Sequence, residues 1–580
     1  MRTFTEAQRR ELDRALATWD PQYDPAERMI RRPFSSPGYH TTLTGGFVHP
    51  TRESLTYALA LLDSGEPERL ARATEILDRM LALQDTNPDS PTYGIWSWFL
   101  EEPLSQMSPP DWNWADFCGT SLIQIAMDHR DRLPAELAYR LDQAVLHAAR
   151  SIQRRDVGPH YTNIALMGTY VTYTAGEFYG EAEILDYARR RLRRFYEYTR
   201  EQGAFTEFNS PTYTAVAIRV LARMRRDIRD RDVHPMLDWL YDLAWADVAR
   251  HFHPPTRQWA GPHSRCYSTL LRPGDQAFLQ RATGGALRYF SDEEIPPDIE
   301  AHRLDFSCPR AYIPSFLHLD GPQEVVQVYY QGSDWLPRII GRTYMNETVA
   351  IGTMNRGDFW NQRRPLVAYW GTAEHPIALQ VRCLHDGYDY CSALIFTRQT
   401  GPYVLAAIVF ATDYGDRHIS LDLIRDQTIM ARDLRLRFQI IHPPADWQAR
   451  EGLILGHEAN TFTIGNATLS LHVPYVAFGD RDVITEANRE GTDECLDIVL
   501  YHGPRRQIDF SRTHPAAIIF GLQITPAGEP TTRPRVDVTQ AKGYLQAFWN
   551  TPRGPLELTV PGRPGPFAEL ERLADGVDDV

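Results

Sequence analysis

Apolar residues recur about every 3.6 residues through the first half of this chain, in segments that come in pairs. One segment of a pair is apolar on most faces, as at 164–167, and the next is amphipathic and rich in arginine and glutamate, as at 183–201. This alternation predicts the inner and outer helices of successive hairpins. The predicted inner helices near residues 115, 162 and 210 begin 47 or 48 residues apart, a typical period for an array of helix pairs. The pattern predicts helices at 52–64, 67–84, 116–129, 134–155, 162–176, 183–201, 210–226 and 232–250.

The inner helices of such an array run parallel, so their N-termini open on the same face. The segments that precede them are expected to line one cleft on that face, at 85–115, 156–161, 202–209 and 251–268. Helix N-termini carry partial positive charge and unpaired N–H groups. A cleft built in this way suits a carboxylate-bearing ligand.

The second half of the chain has a different pattern. Short runs rich in β-branched and aromatic residues alternate with Gly, Pro, Asp and Asn, which predicts an antiparallel sandwich of many strands. The clearest runs lie at 325–330, 404–409, 436–441, 469–473 and 517–520. The sequence therefore predicts an α+β multidomain protein with a helical domain at 1–290, a Pro-rich linker at 291–324, an antiparallel β-sandwich at 325–560 and a C-terminal tail at 561–580.

The acidic balance of the chain limits its partners. The formal net charge is −14 and the isoelectric point is near 5.8, so no nucleic-acid partner is expected, because phosphate binding needs basic patches. No apolar run approaches the ~20 residues of a membrane span, and the first residues form no apolar signal segment. These features predict a cytoplasmic protein without a membrane partner, although a trimmed secreted form would look the same. The sequence gives no signal of oligomeric state.

Residue usage also restricts cofactors. All but one of the 61 basic residues are arginine, so Lys542 is the single candidate for a Schiff base or a phosphate-loop lysine. The six cysteines lack metal-ligand spacing and are expected to be reduced core thiols. A structural metal in the sandwich stays open, with His375, His385 and His418 as candidates that their spacing does not support.

Two predicted helix starts carry reactive side chains. Ser210 is a natural N-cap with Pro211 at the first helical position, which places Tyr213 at the third. Thr162 is expected to cap the other helix in the same way, next to Asn163. The positive end of a helix makes a phenol easier to ionise and a carboxylate easier to hold. The shared position of Asn163 and Tyr213, one helix pair apart, favours a functional site over ordinary capping and packing roles.

Further candidates lie in the connections before and between these helices. Trp96, Trp98, Trp112 and Trp114 lie within 19 residues of each other, and we interpret them either as a stacking surface for sugar rings or as packing of the loop. Other polar candidates are His160, Glu207, Asn209, His263, Arg265, Asn361 and Arg363. Arginine suits two-point carboxylate binding, and the donor-rich segment 355–365 is expected either to close over the cleft or to form solvated turns.

Residues 160–163 (His-Tyr-Thr-Asn) and 209–213 (Asn-Ser-Pro-Thr-Tyr) resemble segments of the heparinase II/III-like and alginate-lyase-like polysaccharide lyases. The resemblance implies an incomplete (α/α) toroid followed by an antiparallel β-sandwich, and cleavage of uronate glycans by β-elimination. It implies that Asn163 neutralises the uronate carboxylate and that Tyr213 is the catalytic acid and base. Two departures concern histidines: the family commonly has His beside the Asn and after the Tyr, whereas here His160 is three residues away and Thr214 follows Tyr213.

β-Elimination needs a neutralised C6 carboxylate, a base for the C5 proton and an acid for the leaving O4. The resemblance assigns the carboxylate to Asn163, with His263 or Arg265 as helpers, and the proton transfers to Tyr213, with His160 as a second candidate base. No metal or organic cofactor is required. The predicted partner is a uronate-containing glycan.

Two other functions stay open. A glycoside hydrolase on the same helical fold would use a carboxylate pair drawn from Glu207, Asp116 and Glu101, although no spacing distinguishes these acids from the others in the chain. A non-catalytic glycan-binding protein would use the same cleft without forming a product.

Overall fold

The computed structural model of the protein describes residues 2–36, 39–333, 336–413, 424, 426–529 and 533–573. Its helices are α1 (Glu6–Trp19), α2 (Thr51–Ser64), α3 (Pro67–Ala82), α4 (Trp114–His129), α5 (Ala135–Arg155), α6 (Thr162–Tyr179), α7 (Ala182–Gln202), α8 (Tyr213–Asp227), α9 (His234–His251), α10 (Pro273–Ala282) and α11 (Phe567–Glu571). Each predicted helix corresponds to one of α2 to α9, with small differences at the ends. None of the described helices combines the length and apolar character that a membrane span requires.

Short strand pairs accompany the helices, and long strands follow them. The strands are β1 (Tyr23–Asp24), β2 (Met29–Ile30), β3 (Arg32–Ser35), β4 (Gly45–Val48), β5 (Phe252–His253), β6 (Gln258–Trp259), β7 (Gln323–Tyr330), β8 (Ile339–Met345), β9 (Ala350–Met354), β10 (Arg356–Asp358), β11 (Leu366–Gly371), β12 (Pro376–His385), β13 (Tyr388–Asp389), β14 (Ala393–Thr400), β15 (Tyr403–Phe410), β16 (Thr428–Ile441), β17 (Ala459–Ile464), β18 (Ala467–Phe478), β19 (Ile484–Glu490), β20 (Asp493–Asp509), β21 (Ala516–Pro526), β22 (Asp537–Ala541), β23 (Tyr544–Thr551) and β24 (Gly554–Pro561). The predicted fold class, an incomplete (α/α) toroid of helix hairpins followed by an antiparallel β-sandwich, is confirmed.

The chain forms two compact units. The first comprises residues 1–200, 215–244 and 288–307. In it, α2, α4 and α6 pack side by side as inner helices, and α3 and α5 pack outside them. The inner helices α4 and α6 are buried on most faces, as their apolar pattern predicted. A Cβ on Gly119 would lie 3.0 Å from Val171, so glycine lets α4 and α6 approach closely.

The second unit comprises residues 201–214, 245–287 and 308–580. A six-stranded sheet has the order β10-β14-β15-β21-β18-β17, and a nine-stranded sheet has the order β19-β20-β16-β12-β11-β9-β8-β7 with β13 beside β12. All the strand pairs within these two sheets are antiparallel. Alternate residues of each sheet, such as Phe438 and Phe520, form the core between them. This arrangement is a β-sandwich.

Strand β15 shows why the run at 404–409 is apolar throughout. Val404, Ala406 and Ile408 belong to the core between the two sheets. Leu405 and Val409, on the other face, pack against the three-stranded sheet β22-β23-β24. A strand buried on both faces loses the alternation of apolar and polar residues.

Residues 258–271 pack on the outer face of the nine-stranded sheet. Ala260 and Leu270 join a buried cluster with Val367 and Tyr369 of β11. A Cβ on Gly352 of β9 would lie 1.7 Å from the Gly261 carbonyl oxygen, so only glycine permits this approach. The sheet thereby positions the segment that carries the site described below.

The unit boundaries differ from the predicted divisions at 290 and 324. Segments 201–214 and 245–287 pack with the sandwich, because their apolar side chains cover the outer face of the nine-stranded sheet. Residues 288–307 pack with the helices, where Arg303 binds Asp63. Part of the predicted tail is also packed, since Leu570 of α11 is buried against the sandwich, while 574–580 lie outside the described residues.

Candidate active site

Helix α8 begins with the predicted cap. The Ser210 hydroxyl oxygen accepts a hydrogen bond from the backbone N–H of Tyr213 at 2.8 Å, and the Thr214 N–H donates to the Ser210 carbonyl. The Ser210 hydroxyl in turn donates to the carbonyl of Arg265. The cap therefore ties the first turn of α8 to the segment on the outer face of the sheet, and it places Tyr213 beside Arg265.

The phenol of Tyr213 has two close polar partners. Arg265 Nη2 donates to the Tyr213 hydroxyl oxygen at 2.8 Å, and the Arg265 Cζ lies 3.9 Å from the ring centroid. The Tyr213 and Tyr267 hydroxyl oxygens are 2.6 Å apart. Tyr213 is half-buried, whereas Tyr267 is 48% exposed, so the pair of phenols extends from the interior towards solvent.

Arg265 is fixed by its other contacts. Its Nη1 donates to Glu207 at 2.5 Å, and its Nε and Nη2 donate to Gln362 Oε1 at 3.0 and 2.8 Å. The Trp360 ring centroid lies 5.0 Å from its Cζ. A guanidinium held on all sides in this way has little rotational freedom, so its charge stays beside the phenol of Tyr213.

The protonation of Tyr213 differs from the expectation. Burial raises the pKa of the Tyr213 phenol well above its usual value, although the positive charge of Arg265 acts in the opposite direction. The cost of burying a phenolate exceeds the benefit of the neighbouring guanidinium. The expectation that Tyr213 is easier to ionise is therefore wrong, and the residue is a neutral phenol with a proton to give.

The donor-rich segment 355–365 contributes to this site. Gln362 is buried and binds Arg265 as described above. Asn361 Nδ2 donates to the Tyr388 hydroxyl at 2.9 Å, and its Oδ1 is buried without a hydrogen-bond partner among the described residues. Arg363 is paired with Asp358, so its charge is partly compensated. Asn361 and Arg363 flank Gln362 in the chain, but each binds a partner other than Arg265. Their contact with substrate stays a prediction.

Asn209 has a structural role. Its side chain is fully buried: Nδ2 donates to the Ala260 and Pro262 carbonyls, and Oδ1 accepts from Trp259. Its φ is +40°, a left-handed conformation that Asn tolerates better than most residues. Its amide holds 259–262 against the start of α8, and the expected contact of Asn209 with substrate stays a prediction.

His263 is also structural. It is fully buried, its Nδ1–H donates to the Asn209 carbonyl at 2.7 Å, and its Nε2 lies 3.0 Å from the Tyr369 hydroxyl oxygen. Burial lowers the pKa of the imidazole to about 3, so the side chain is neutral near pH 7. A buried, neutral imidazole is poorly suited to hold a carboxylate or to transfer protons, and the catalytic role of His263 stays a prediction.

Asn163 and His160 lie in the first unit. Asn163 is buried in the first turn of α6, and His160 is exposed just before it, with its ring against Gly158. The N-cap position belongs to Tyr161 and has no side-chain cap hydrogen bond, so the expectation that Thr162 caps this helix is wrong. Tyr213 belongs to the second unit, and the predicted pairing of Asn163 with Tyr213 stays a prediction.

The four tryptophans have different environments. Trp96 is fully buried, with its indole N–H bonded to the Met80 carbonyl, so it belongs to the core and offers no sugar-binding surface. Trp98 and Trp114 are half-buried and stacked, with ring centroids 5.1 Å apart and planes at 27°. Trp112 is half-buried, and its indole N–H donates to the Pro91 carbonyl. Trp98, Trp112 and Trp114 keep ring surface available for stacking against sugars.

The three acids named for a hydrolase also differ. Glu207 is 5% exposed and bound to Arg265. Glu101 binds the His49 imidazole at 2.5 Å. Asp116 is buried, and burial raises its pKa to about 7, against the opposing charges of Arg191 and Arg155.

Within the described part of the chain, no group of three or more His, Cys, Asp or Glu side chains is arranged to hold a metal ion. His385 Nε2 lies 3.2 Å from the Met430 carbonyl, and His418 lies outside the described residues. The cysteines are buried free thiols, as expected.

Sequence reasoning missed Tyr267 and gave no specific role to Gln362 or Trp360. Tyr267 lies two residues after Arg265, so both side chains belong to one short segment. The sequence feature that could have identified Tyr267 is its position close to an arginine, in a connection expected to line the cleft.

A family model described as "Domain of unknown function (DUF8769)" matches residues 12–273, which is less than half of the chain. A search of curated proteins finds no match. A crystal structure of heparinase III is similar at 10% identity and a TM-score of 0.43, with 96% of this chain and 91% of that chain covered.

Two further solved structures are similar over part or most of the chain. Unsaturated glucuronyl hydrolase from Streptococcus agalactiae is 13% identical, with a TM-score of 0.31 and coverage of 55% of this chain and 77% of that chain. Endoglucanase CelQ from Clostridium thermocellum, complexed with cellotriose, is 11% identical, with a TM-score of 0.26 and coverage of 90% and 83%. At such identities and TM-scores, these likenesses concern the fold alone.

Proposed function

We propose that the protein is a lyase that cleaves a uronic-acid-containing glycan by β-elimination, with Tyr213 as the acid that protonates the leaving O4. The observation that carries the proposal is the contact between the neutral phenol of Tyr213 and the fixed guanidinium of Arg265, 2.8 Å from its hydroxyl oxygen. A general acid must hold a proton at the working pH and must be stabilised once the proton has left.

The guanidinium supplies that stabilisation. When Tyr213 gives its proton to O4, negative charge forms on an oxygen that already accepts a charge-assisted hydrogen bond from Arg265. Because Glu207 and Gln362 hold the guanidinium in place, it does not have to reorient during the reaction. Arg265 is thereby committed to Tyr213, so we assign the uronate carboxylate to Asn163 instead.

The raised pKa of Tyr213 favours an acid over a base. The base that takes the C5 proton is therefore assigned to another group, and the exposed imidazole of His160 is our candidate, since imidazole carries protons near neutral pH. The stacked Trp98 and Trp114, with Trp112, provide aromatic surface suited to sugar rings.

The deciding experiment is ultraviolet absorbance of the product. β-Elimination leaves a conjugated double bond in the new non-reducing uronate, whereas hydrolysis does not. Purified protein is incubated with a panel of uronate polymers and oligomers, and both ultraviolet absorbance and reducing ends are followed. Tyr213→Phe is expected to lower kcat by about 10²–10⁴-fold. Tyr139→Phe, at a tyrosine that is 62% exposed on α5, is the matched control and should leave kcat unchanged.

A glycoside hydrolase is the second candidate, favoured by the pKa of Asp116 near 7, because a general acid for glycosidic oxygen needs a raised pKa. It predicts new reducing ends without ultraviolet absorbance, and loss of that activity in Asp116→Asn but not in Tyr213→Phe. A hydrolase of this kind needs two carboxylates, and Glu207 is bound to Arg265, which places this function second.

A further inference from the structure

We infer that Tyr267 is a proton-relay residue, which returns a proton from solvent to Tyr213 after each turnover. This inference rests on the proposed function, in which Tyr213 is the acid. Tyr267 acts through Tyr213 and not on the substrate, so it is a positioning and relay residue.

The geometry of the two phenols supports a relay. Their oxygens are 2.6 Å apart, which is a short hydrogen bond between hydroxyl groups. Tyr267 is 48% exposed while Tyr213 is half-buried, so Tyr267 is the member of the pair that water reaches more easily. The ring centroids are 6.1 Å apart and tilted by 48°, so the hydroxyl groups approach each other without stacking of the rings.

The hydrogen-bonding capacity of a phenol sets the direction of the bond during the reaction. A tyrosine hydroxyl donates one hydrogen bond and accepts up to two. Arg265 Nη2 can only donate, and it occupies one acceptor position on the Tyr213 oxygen. When Tyr267 donates to the second acceptor position, the single proton of Tyr213 is left for the O4 of the substrate. Arg265 and Tyr267 thus leave the Tyr213 proton available to the leaving oxygen of the substrate.

The proton balance closes. As the C4–O4 bond breaks, the Tyr213 proton moves to O4, and the electron pair of the O–H bond stays on the Tyr213 oxygen. Tyr267 then gives its proton to that oxygen, and a water molecule or buffer acid restores the Tyr267 proton. The base meanwhile releases the C5 proton to solvent, so one proton leaves and one enters in each cycle.

The relay is tested with Tyr267→Phe, which keeps the ring and removes only the hydroxyl. We expect kcat, followed by ultraviolet absorbance on the substrate found above, to fall roughly tenfold or more while KM changes by less than about twofold. We also expect kcat of the variant to rise with the concentration of a small buffer acid such as imidazole. The kcat of the unchanged protein should not depend on that concentration. Tyr544→Phe, at a tyrosine with similar exposure of 45%, is the control for loss of a surface hydroxyl.

Tyr267→His is a second variant that separates relay from packing. An imidazole passes protons near neutral pH, so this variant should recover much of the activity lost in Tyr267→Phe and add an ionisation to the pH profile of kcat. A packing role predicts the opposite order, because Phe preserves the ring shape better than His.

The outcomes separate the two proposals. If the unchanged protein forms no unsaturated product from any member of the panel, the lyase proposal fails and the relay fails with it. If the unchanged protein is an active lyase but Tyr267→Phe keeps its kcat and shows no response to buffer acid, the relay alone is overturned. Unchanged thermal midpoints of the variants exclude loss of folding as the cause of a lower rate.

Discussion

Arg265 contacts Tyr213 at two places: its Nη2 donates to the hydroxyl oxygen at 2.8 Å, and its Cζ lies 3.9 Å from the ring centroid. The same guanidinium binds Glu207 and Gln362, so the position of one phenol depends on three hydrogen-bonded side chains. The consequences for activity and stability can be tested separately.

Arg265→Lys should separate charge from geometry. Lysine keeps the positive charge, but its ammonium group lacks the planar fork that reaches Glu207, Gln362 and Tyr213 at the same time. We expect kcat for the unsaturated product to fall by at least about tenfold, which corresponds to a barrier about 1.4 kcal/mol higher. Arg281→Lys on α10 makes the same replacement outside the site and serves as the control. Equal kcat values in the two variants would contradict a role for the fork.

Glu207→Gln distinguishes the lyase from the hydrolase by how much activity the variant loses. Glu207 and Arg265 are 5% and 12% exposed, so removing the negative charge leaves a buried guanidinium without its counter-ion. Because the Gln oxygen still accepts a hydrogen bond, we expect a cost of roughly 2–3 kcal/mol in the free energy of unfolding, less than for complete removal of a buried partner. As a lyase, the variant should keep a measurable fraction of its activity. Complete loss of activity with unchanged stability would instead support Glu207 as a hydrolase acid or base.

The cap of α8 could be predicted from sequence because it is a local feature. Ser210 accepts from a backbone N–H three residues later, a contact that depends only on residue type and spacing. The roles of Asn209 and His263 could not be predicted in this way. Their partners are the carbonyls of Ala260 and Asn209 and the hydroxyl of Tyr369, which become neighbours only when the 258–271 segment folds onto the sheet. Before that packing is known, a buried polar side chain looks the same as a substrate ligand.

The protonation of Tyr213 was mispredicted for a related reason. A helix N-terminus favours a phenolate, and this effect follows from local sequence. Burial acts in the opposite direction by raising the pKa, and it depends on side chains distant in sequence, so its size is known only from the fold. The helix pairs and the sandwich, by contrast, follow from periodicity, which explains why the fold class was predicted correctly.

His263 should make the protein sensitive to acid. Its pKa in the folded protein is about 3, compared with 6.5 for an ordinary histidine, so the unfolded chain binds a proton that the folded chain excludes over this range. The stabilising contribution is complete above about pH 6.5 and is lost as the pH falls from there towards 3. We expect a loss of about 3 kcal/mol from this residue between pH 7 and pH 4, measured by denaturant unfolding at each pH.

The matched variants for this pH effect are His263→Gln and His160→Gln. His263→Gln is expected to be less stable at pH 7, because a buried hydrogen-bonded ring is lost, but to show a shallower fall in stability with acid. His160→Gln removes an exposed imidazole and is the control for loss of a histidine as such. Identical slopes for His263→Gln and the unchanged protein would show that His263 is not protonated on unfolding in this range.

Gly352→Ala tests whether the sheet positions the site. The new methyl group would lie 1.7 Å from the Gly261 carbonyl oxygen, and the backbone on both sides is held, Gly352 within a central strand and the Gly261 oxygen by the Thr343 hydroxyl. Segment 258–271 must therefore shift away from β9 and carry Arg265 and Tyr267 with it. We expect a free energy of unfolding lower by roughly 3 kcal/mol or more, from overpacking and the loss of buried contacts. The loss of activity should be larger than the fraction of unfolded protein accounts for, because Arg265 and Tyr267 are displaced in the folded protein as well. Gly274→Ala is the control, since a Cβ at Gly274 meets no atom within 4 Å and alanine favours the helix, so stability should stay the same or rise by up to about 1 kcal/mol. A Gly352→Ala protein with unchanged stability and kcat would mean that the segment does not depend on this close approach.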